Sequence, residues 1–77
     1  MDQAALDQLV NDALDTAVKE NGYDDLKEMA PSEIAVDLLD HDDGIYKFLV
    51  KAGPLHIQED VLKALEESIG KWRAKNP

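Results

Sequence analysis

The chain has 77 residues and no cysteine. A disulfide, a thiolate zinc site and an iron–sulfur cluster are excluded together. Aromatic residues make up only 5%: one tryptophan, one phenylalanine and two tyrosines. The core must therefore be mainly aliphatic, and each aromatic stands out as a core anchor or a contact point. Prolines number three and glycines four, so few positions interrupt regular structure. No stretch approaches the roughly 18 apolar residues of a membrane span. The start, Met1-Asp2-Gln3-Ala4, carries no base and leads into no apolar run, so no export signal is expected and the cytoplasm is the expected compartment.

Basic residues are the other scarcity. Eight face seventeen acids, for a net charge of −9. Residues 1–43 hold thirteen acids and two lysines, and residues 44–77 hold four acids and six bases. An acidic front half and a mildly basic tail steer cationic partners and argue against nucleic-acid binding. Hydrophobic residues at 44% suffice for folding, so disorder is not expected. A single domain spanning 1–77 is expected, with neither linker nor repeat. A chain this short buries only roughly 60% of its unfolded surface. Without disulfide or metal, association with a partner protein or a second copy is the reinforcement left.

Helical periodicity dominates. Ala5, Leu6, Leu9, Val10, Ala13, Leu14, Ala17 and Val18 share one stripe, with Asp2 as N-cap and Asn21-Gly22 as stop, which predicts a helix over 3–21. Residues 23–29 read as a connector with at most one helical turn. Ala30-Pro31-Ser32-Glu33 opens a second helix, with Met29 and Ile34 spaced as a hydrophobic staple. Its inward face is Ile34, Ala35, Leu38 and Leu39, and Asp40-His41-Asp42-Asp43-Gly44 ends it. Residues 45–52 fit a helix capped by Asp42 or Asp43 and stopped by Gly53-Pro54. Ile-Tyr-Lys-Phe-Leu-Val also favours strands, so the alternative is an α+β chain with a hairpin at 45–57. In either form this segment is expected to be the most enclosed. Ile57, Val61, Leu62, Leu65, Ile69 and Trp72 predict a last helix, in which Gly70 either frays the end or allows close packing.

The expected fold is all-α, a compact three-to-four-helix domain. Its expected core is Leu6, Leu9, Val10, Ala13, Leu14, Val18, Ile34, Leu38, Phe48, Leu49, Val61, Leu65, Ile69 and Trp72.

Motifs for chemistry are sparse. The acid run around Gly44 is not a calcium-binding EF-hand loop. With glycine at position 6, Leu39 and His41 fall at positions 1 and 3; starting at Asp40, Lys51 falls at position 12. His41 and His56 have no second ligand at helical spacing. The pairs Asp24-Asp25, Asp42-Asp43 and Glu66-Glu67 follow from acidic composition, and a chain this small has little room for the apolar cleft that acid catalysis needs. No enzyme activity, cofactor or metal is expected.

In size, acidity and helical layout the chain resembles acyl carrier proteins, which bear a phosphopantetheine arm on a serine at the start of their second helix. Ser32, within Pro31-Ser32-Glu33, stands at the comparable place. The family's Asp-Ser-Leu motif differs at both flanking positions, and Ser68 lies inside the last helix.

The leading expectation is a non-catalytic protein–protein interaction module, an inhibitor or adaptor of phage, prophage or bacterial type. A partner with a basic surface is expected. Trp72, Tyr46, Leu62, Asp12 and Asp15 are the candidate partner-binding residues, with Val50 and Leu55 as further apolar groups beside the main stripes. A homodimer through the same apolar residues is the related possibility. The alternative is a DNA mimic that presents Asp7, Asp12, Asp15, Glu20, Asp24 and Asp25 to a DNA-binding protein.

Overall fold

The computed structural model describes residues 2–22, 24–52 and 58–76. Helix α1 runs Gln3–Asn21, α2 Asp24–Glu28, α3 Pro31–His41, α4 Asp43–Ala52 and α5 Gln58–Lys75. There is no strand among the described residues, so the fold is all-α. Residues 45–52 are helical, which removes the first arm of the hairpin alternative; residues 53–57, with Leu55 and His56, lie outside the described residues. The radius of gyration, 11.7 Å, matches the about 11–12 Å of a compact chain of this length.

Local chemistry explains the boundaries. The Asp2 carboxylate accepts from the Ala4 and Ala5 amides at 3.1 and 3.3 Å, satisfying two of the donors that a helix start leaves free. Gly22 closes α1 with φ +88°, and its amide donates to the Val18 carbonyl at 3.0 Å; a side chain would be strained there. Pro31 opens α3 at a position where no amide is required. The acid run expected to form a whole turn is shorter than expected: Asp42 alone separates α3 from α4. Its amide closes α3 on the Leu38 carbonyl at 2.9 Å, and its carboxylate accepts the Ile45 amide at 2.9 Å. The connector before α3 holds the five-residue α2, slightly more than the expected turn.

The core is one aliphatic cluster. Leu6, Val10 and Leu14 of α1 meet Leu65, Ile69 and Trp72 of α5, closed by Ile34 and Ala35 of α3 and Ile45 and Leu49 of α4. Leu9, Ala13, Val18, Leu38, Phe48 and Val61, expected inside, are only partly buried around it. Ala64 and Ser68, not expected in the core, are fully enclosed in it or nearly so. The expectation that residues 45–52 would be most enclosed is overturned. Tyr46 and Val50 are 44% and 42% exposed, because α4 packs chiefly against α3 and α1 and leaves its outer side to solvent.

Gly70 also departs from expectation. It neither ends α5, which runs to Lys75, nor meets another backbone, since an added Cβ would find nothing within 4 Å. Gly70→Ala is therefore expected to stabilise the protein by about 0.5–1 kcal/mol through chain entropy alone. A urea titration should show a raised midpoint with unchanged slope; a lowered midpoint would mean that the glycine has a packing role.

Candidate functional site

Three of the residues singled out from the sequence converge. Trp72, Asp12 and Asp15 line one open groove of about 530 Å³ along the α1–α5 seam, with Thr16, Val18, Lys19 and Asn76. Trp72 is itself only 3% exposed. It lies against the α1 stripe, and its indole Nε1 donates to Asp15 Oδ1 at 2.9 Å. Trp72, expected both in the core and at a partner face, is a core anchor with a polar tip at the groove floor. Asn76 Nδ2 donates to the Trp72 carbonyl at 2.8 Å and closes the groove's end.

Further along the seam, polar groups interlock. Ser68 is 1% exposed and donates to Asp7 Oδ1 at 2.5 Å. Gln3 Nε2 donates to Ser68 Oγ at 2.9 Å and to the Ala64 carbonyl at 3.1 Å. Lys71 Nζ lies 2.9 Å from Asp7 Oδ2. The Ser68 hydroxyl, helped by Lys71 and Gln3, holds the Asp7 carboxyl below its ordinary range against a weaker opposing effect of burial. The hydrogen bond to Asp7 likewise raises the Lys71 ammonium. These partners rise together along both helices, so α1 and α5 cross the seam in the same direction.

The acidic row proposed for mimicry is in part spent. Asp7 and Asp15 serve the seam, and Asp12 Oδ1 accepts from Gln8 Nε2 at 3.0 Å. Glu20 belongs to a different cleft. The side chains of Asp24 and Asp25 lie outside the described residues.

Exposed apolar surface is elsewhere. Tyr46 and Val50 stand one turn apart on α4, and Val36 of α3 is 49% exposed. Leu62 packs partly buried against the core, so it is not joined with them as an exposed group. Val36 was missed in the sequence, although it lies off the Ile34-Ala35-Leu38-Leu39 stripe just as Tyr46 and Val50 lie off theirs. A second cleft of about 310 Å³ lies between α1, α2 and α3, floored by Leu14 and Ile34 and bordered by Glu20, Asp37 and Asp42. Arg73 of α5 props its α2 side by donating to the carbonyls of Leu26, Lys27 and Met29. Asp42 joins cleft and row, because the Tyr46 amide donates to its carbonyl one turn on.

His41 faces Asp37 at 3.9 Å on the exposed side of α3. Among the described residues no three acids or histidines cluster to hold a metal. Ser32 is exposed at the second position of α3. No helix among the described residues is long and apolar enough to cross a membrane. Comparison with protein-family models, curated proteins and solved structures finds no match; the functional reading therefore rests on this chain's own surfaces.

Two outcomes test the seam. Asp7 has a lowered native pKa, so its contribution is fully present above the ordinary carboxylate value of 3.8 and is lost as pH falls through the native value. Asp7→Asn should lower the urea midpoint at pH 7, and its difference from wild type should shrink as pH falls progressively below 3.8; a difference that stays constant down to the acid limit of folding would contradict the pairing. Trp72→Phe, which keeps an aromatic ring but drops the indole donor and part of the buried volume, should cost about 1–2 kcal/mol. Trp72→Ala should cost about 3–5 kcal/mol. Equal losses in thermal unfolding would show that burial contributes little.

Proposed function

We propose that this chain is a non-catalytic protein-binding module, an inhibitor or adaptor of the phage or bacterial kind, which acts in the cytoplasm by occupying a partner protein. The observation that carries the reading is the row that starts at Asp42, the cap before α4, and runs through Tyr46 and Val50 on α4 at i+4 and i+8. Two large apolar side chains stay exposed there, one turn apart, while Leu6, Val10, Leu14, Leu65 and Ile69 close around Trp72. Single exposed apolar residues are ordinary. A tyrosine and a valine stacked one turn apart, leading from an acid-bordered apolar cleft, form a surface with an aromatic anchor and a charged edge, as interfaces do. The net charge of −9 supports a basic partner surface, approached faster at low salt.

The mimic reading has less support, because Asp7 and Asp15 are engaged in intramolecular hydrogen bonds.

Tyr46→Ser combined with Val50→Ser tests the reading. Both positions are exposed, so folding stability should change by no more than about 0.5 kcal/mol per site. Native mass spectrometry of tagged protein purified from its own source cells should show a partner with wild type, and at least tenfold less with the double variant. Undiminished capture by a folded double variant would contradict this surface.

A further inference from the structure

We infer that the cleft between α1 and α3 receives a basic amphipathic helical segment of the partner, with its apolar stripe in the trough and its lysines or arginines on both flanks. This rests on the reading of the chain as a binding module and adds the chemistry of what it binds.

The trough exists because α1 presents small side chains there. Ala13 and Ala17 line it, where larger residues would fill the space above Leu14 and Ile34. Met29 and Leu38 make apolar walls. Methionine adapts its shape to varied apolar partners. A volume of about 310 Å³ is at the bottom of the about 300–1,000 Å³ range of small-molecule sites. It suits one or two anchor side chains of a helix laid in a groove.

Charge selects the occupant. Glu20 stands on the α1 side and Asp37 on the α3 side, with Asp42, whose carboxylate also caps α4, at the end of α3. The described lining includes neither lysine nor arginine. Arg73, the cation on the α2 side, is committed to the carbonyls of Leu26, Lys27 and Met29. His41 also lines the cleft mouth, 3.9 Å from Asp37. Acids on both sides of an apolar trough complement a helix whose apolar stripe is flanked by bases on both sides. A second copy of this chain offers a poorer match. Its α5 carries as many acids as bases, and of those bases Lys71 is committed to Asp7 and Arg73 to the carbonyls of Leu26, Lys27 and Met29.

The probe is a fluorescein-labelled, 18-residue amphipathic peptide of leucine and lysine, titrated by anisotropy in 150 mM salt. A control peptide carries glutamate in place of lysine. The lysine peptide should bind and the glutamate peptide should not. Glu20→Lys with Asp37→Lys should weaken binding at least tenfold. Asp12→Lys with Glu67→Lys makes the same change in net charge away from the cleft and should weaken it less than threefold. Ala17→Leu, which fills the trough without changing charge, should also weaken it at least tenfold in a variant that keeps its thermal midpoint. Equal weakening by the two charge pairs would reduce the effect to general attraction and overturn the inference. So would indifference to Ala17→Leu, absence of binding, or a wild-type dimer that the Glu20→Lys and Asp37→Lys pair dissociates. If the peptide result fails while Tyr46→Ser and Val50→Ser still abolish partner capture, the cleft is not the site and the binding role stands. If both fail, both readings fall.

Discussion

The seam between α1 and α5 is the constraint on which the rest of the molecule depends. Leu6, Val10 and Leu14 meet Leu65, Ile69 and Trp72 across it, and the other helices close around that contact. Apolar burial supplies most of the energy, but it is non-directional and would tolerate some sliding of two smooth stripes. The polar contacts beside it do not. Ser68 is enclosed, and its hydroxyl requires both the Asp7 carboxylate and the Gln3 amide in place. A one-turn slip would leave a buried hydroxyl unpaired, at a cost of about 1–3 kcal/mol. Trp72 repeats the logic farther along, with its ring in the core and its N–H on Asp15. No buried side-chain polar atom among the described residues lacks a partner.

This division explains where binding surface is left. The acids nearest α5 are used to set the packing of α1, so the front half's excess negative charge is not all free to face a partner. Glu20, Asp37 and Asp42 instead border the cleft between α1 and α3, and beyond it lies the exposed side of α4. Arg73 connects the two regions. It leaves the seam side of α5 and holds the C-terminal carbonyls of α2, which places Leu26 and Met29 at the cleft. The scaffold and the proposed recognition surface are therefore built by opposite sides of the same few helices.

Much of the fold was legible in the sequence because its signals are local. Helix α1 begins after the expected Asp2 and ends before the expected Gly22, since cap and stop act within one turn. Pro31 marked α3 in the same way. Two misreadings have a common cause. Asp40-His41-Asp42-Asp43-Gly44 read as a turn by composition, yet Asp42 alone lies between the helices, where it caps α4 as expected. Residues 45–52 read as enclosed from their hydrophobicity, but enclosure depends on how many helices cover a face, which periodicity does not encode. The candidate site was legible only in fragments. Trp72 was expected both in the core, where its helical spacing put it and where it lies, and on a partner face, because a lone tryptophan does not reveal how far its ring will be covered. Tyr46 was found from its place off the main stripe. The cleft was not found, because Glu20, Met29 and Asp37 are far apart in sequence and meet only through packing.

The central claim is that α1 and α5 form the scaffold while α3, α4 and the C-terminal end of α1 face the partner. The direct measurement is amide hydrogen exchange of the chain, free and bound to the protein that co-purifies with it. The account predicts added protection at residues 17–21 and 34–50 and little change at 3–12 and 62–72. Added protection concentrated on the seam, with 34–50 exchanging as in the free chain, would contradict it.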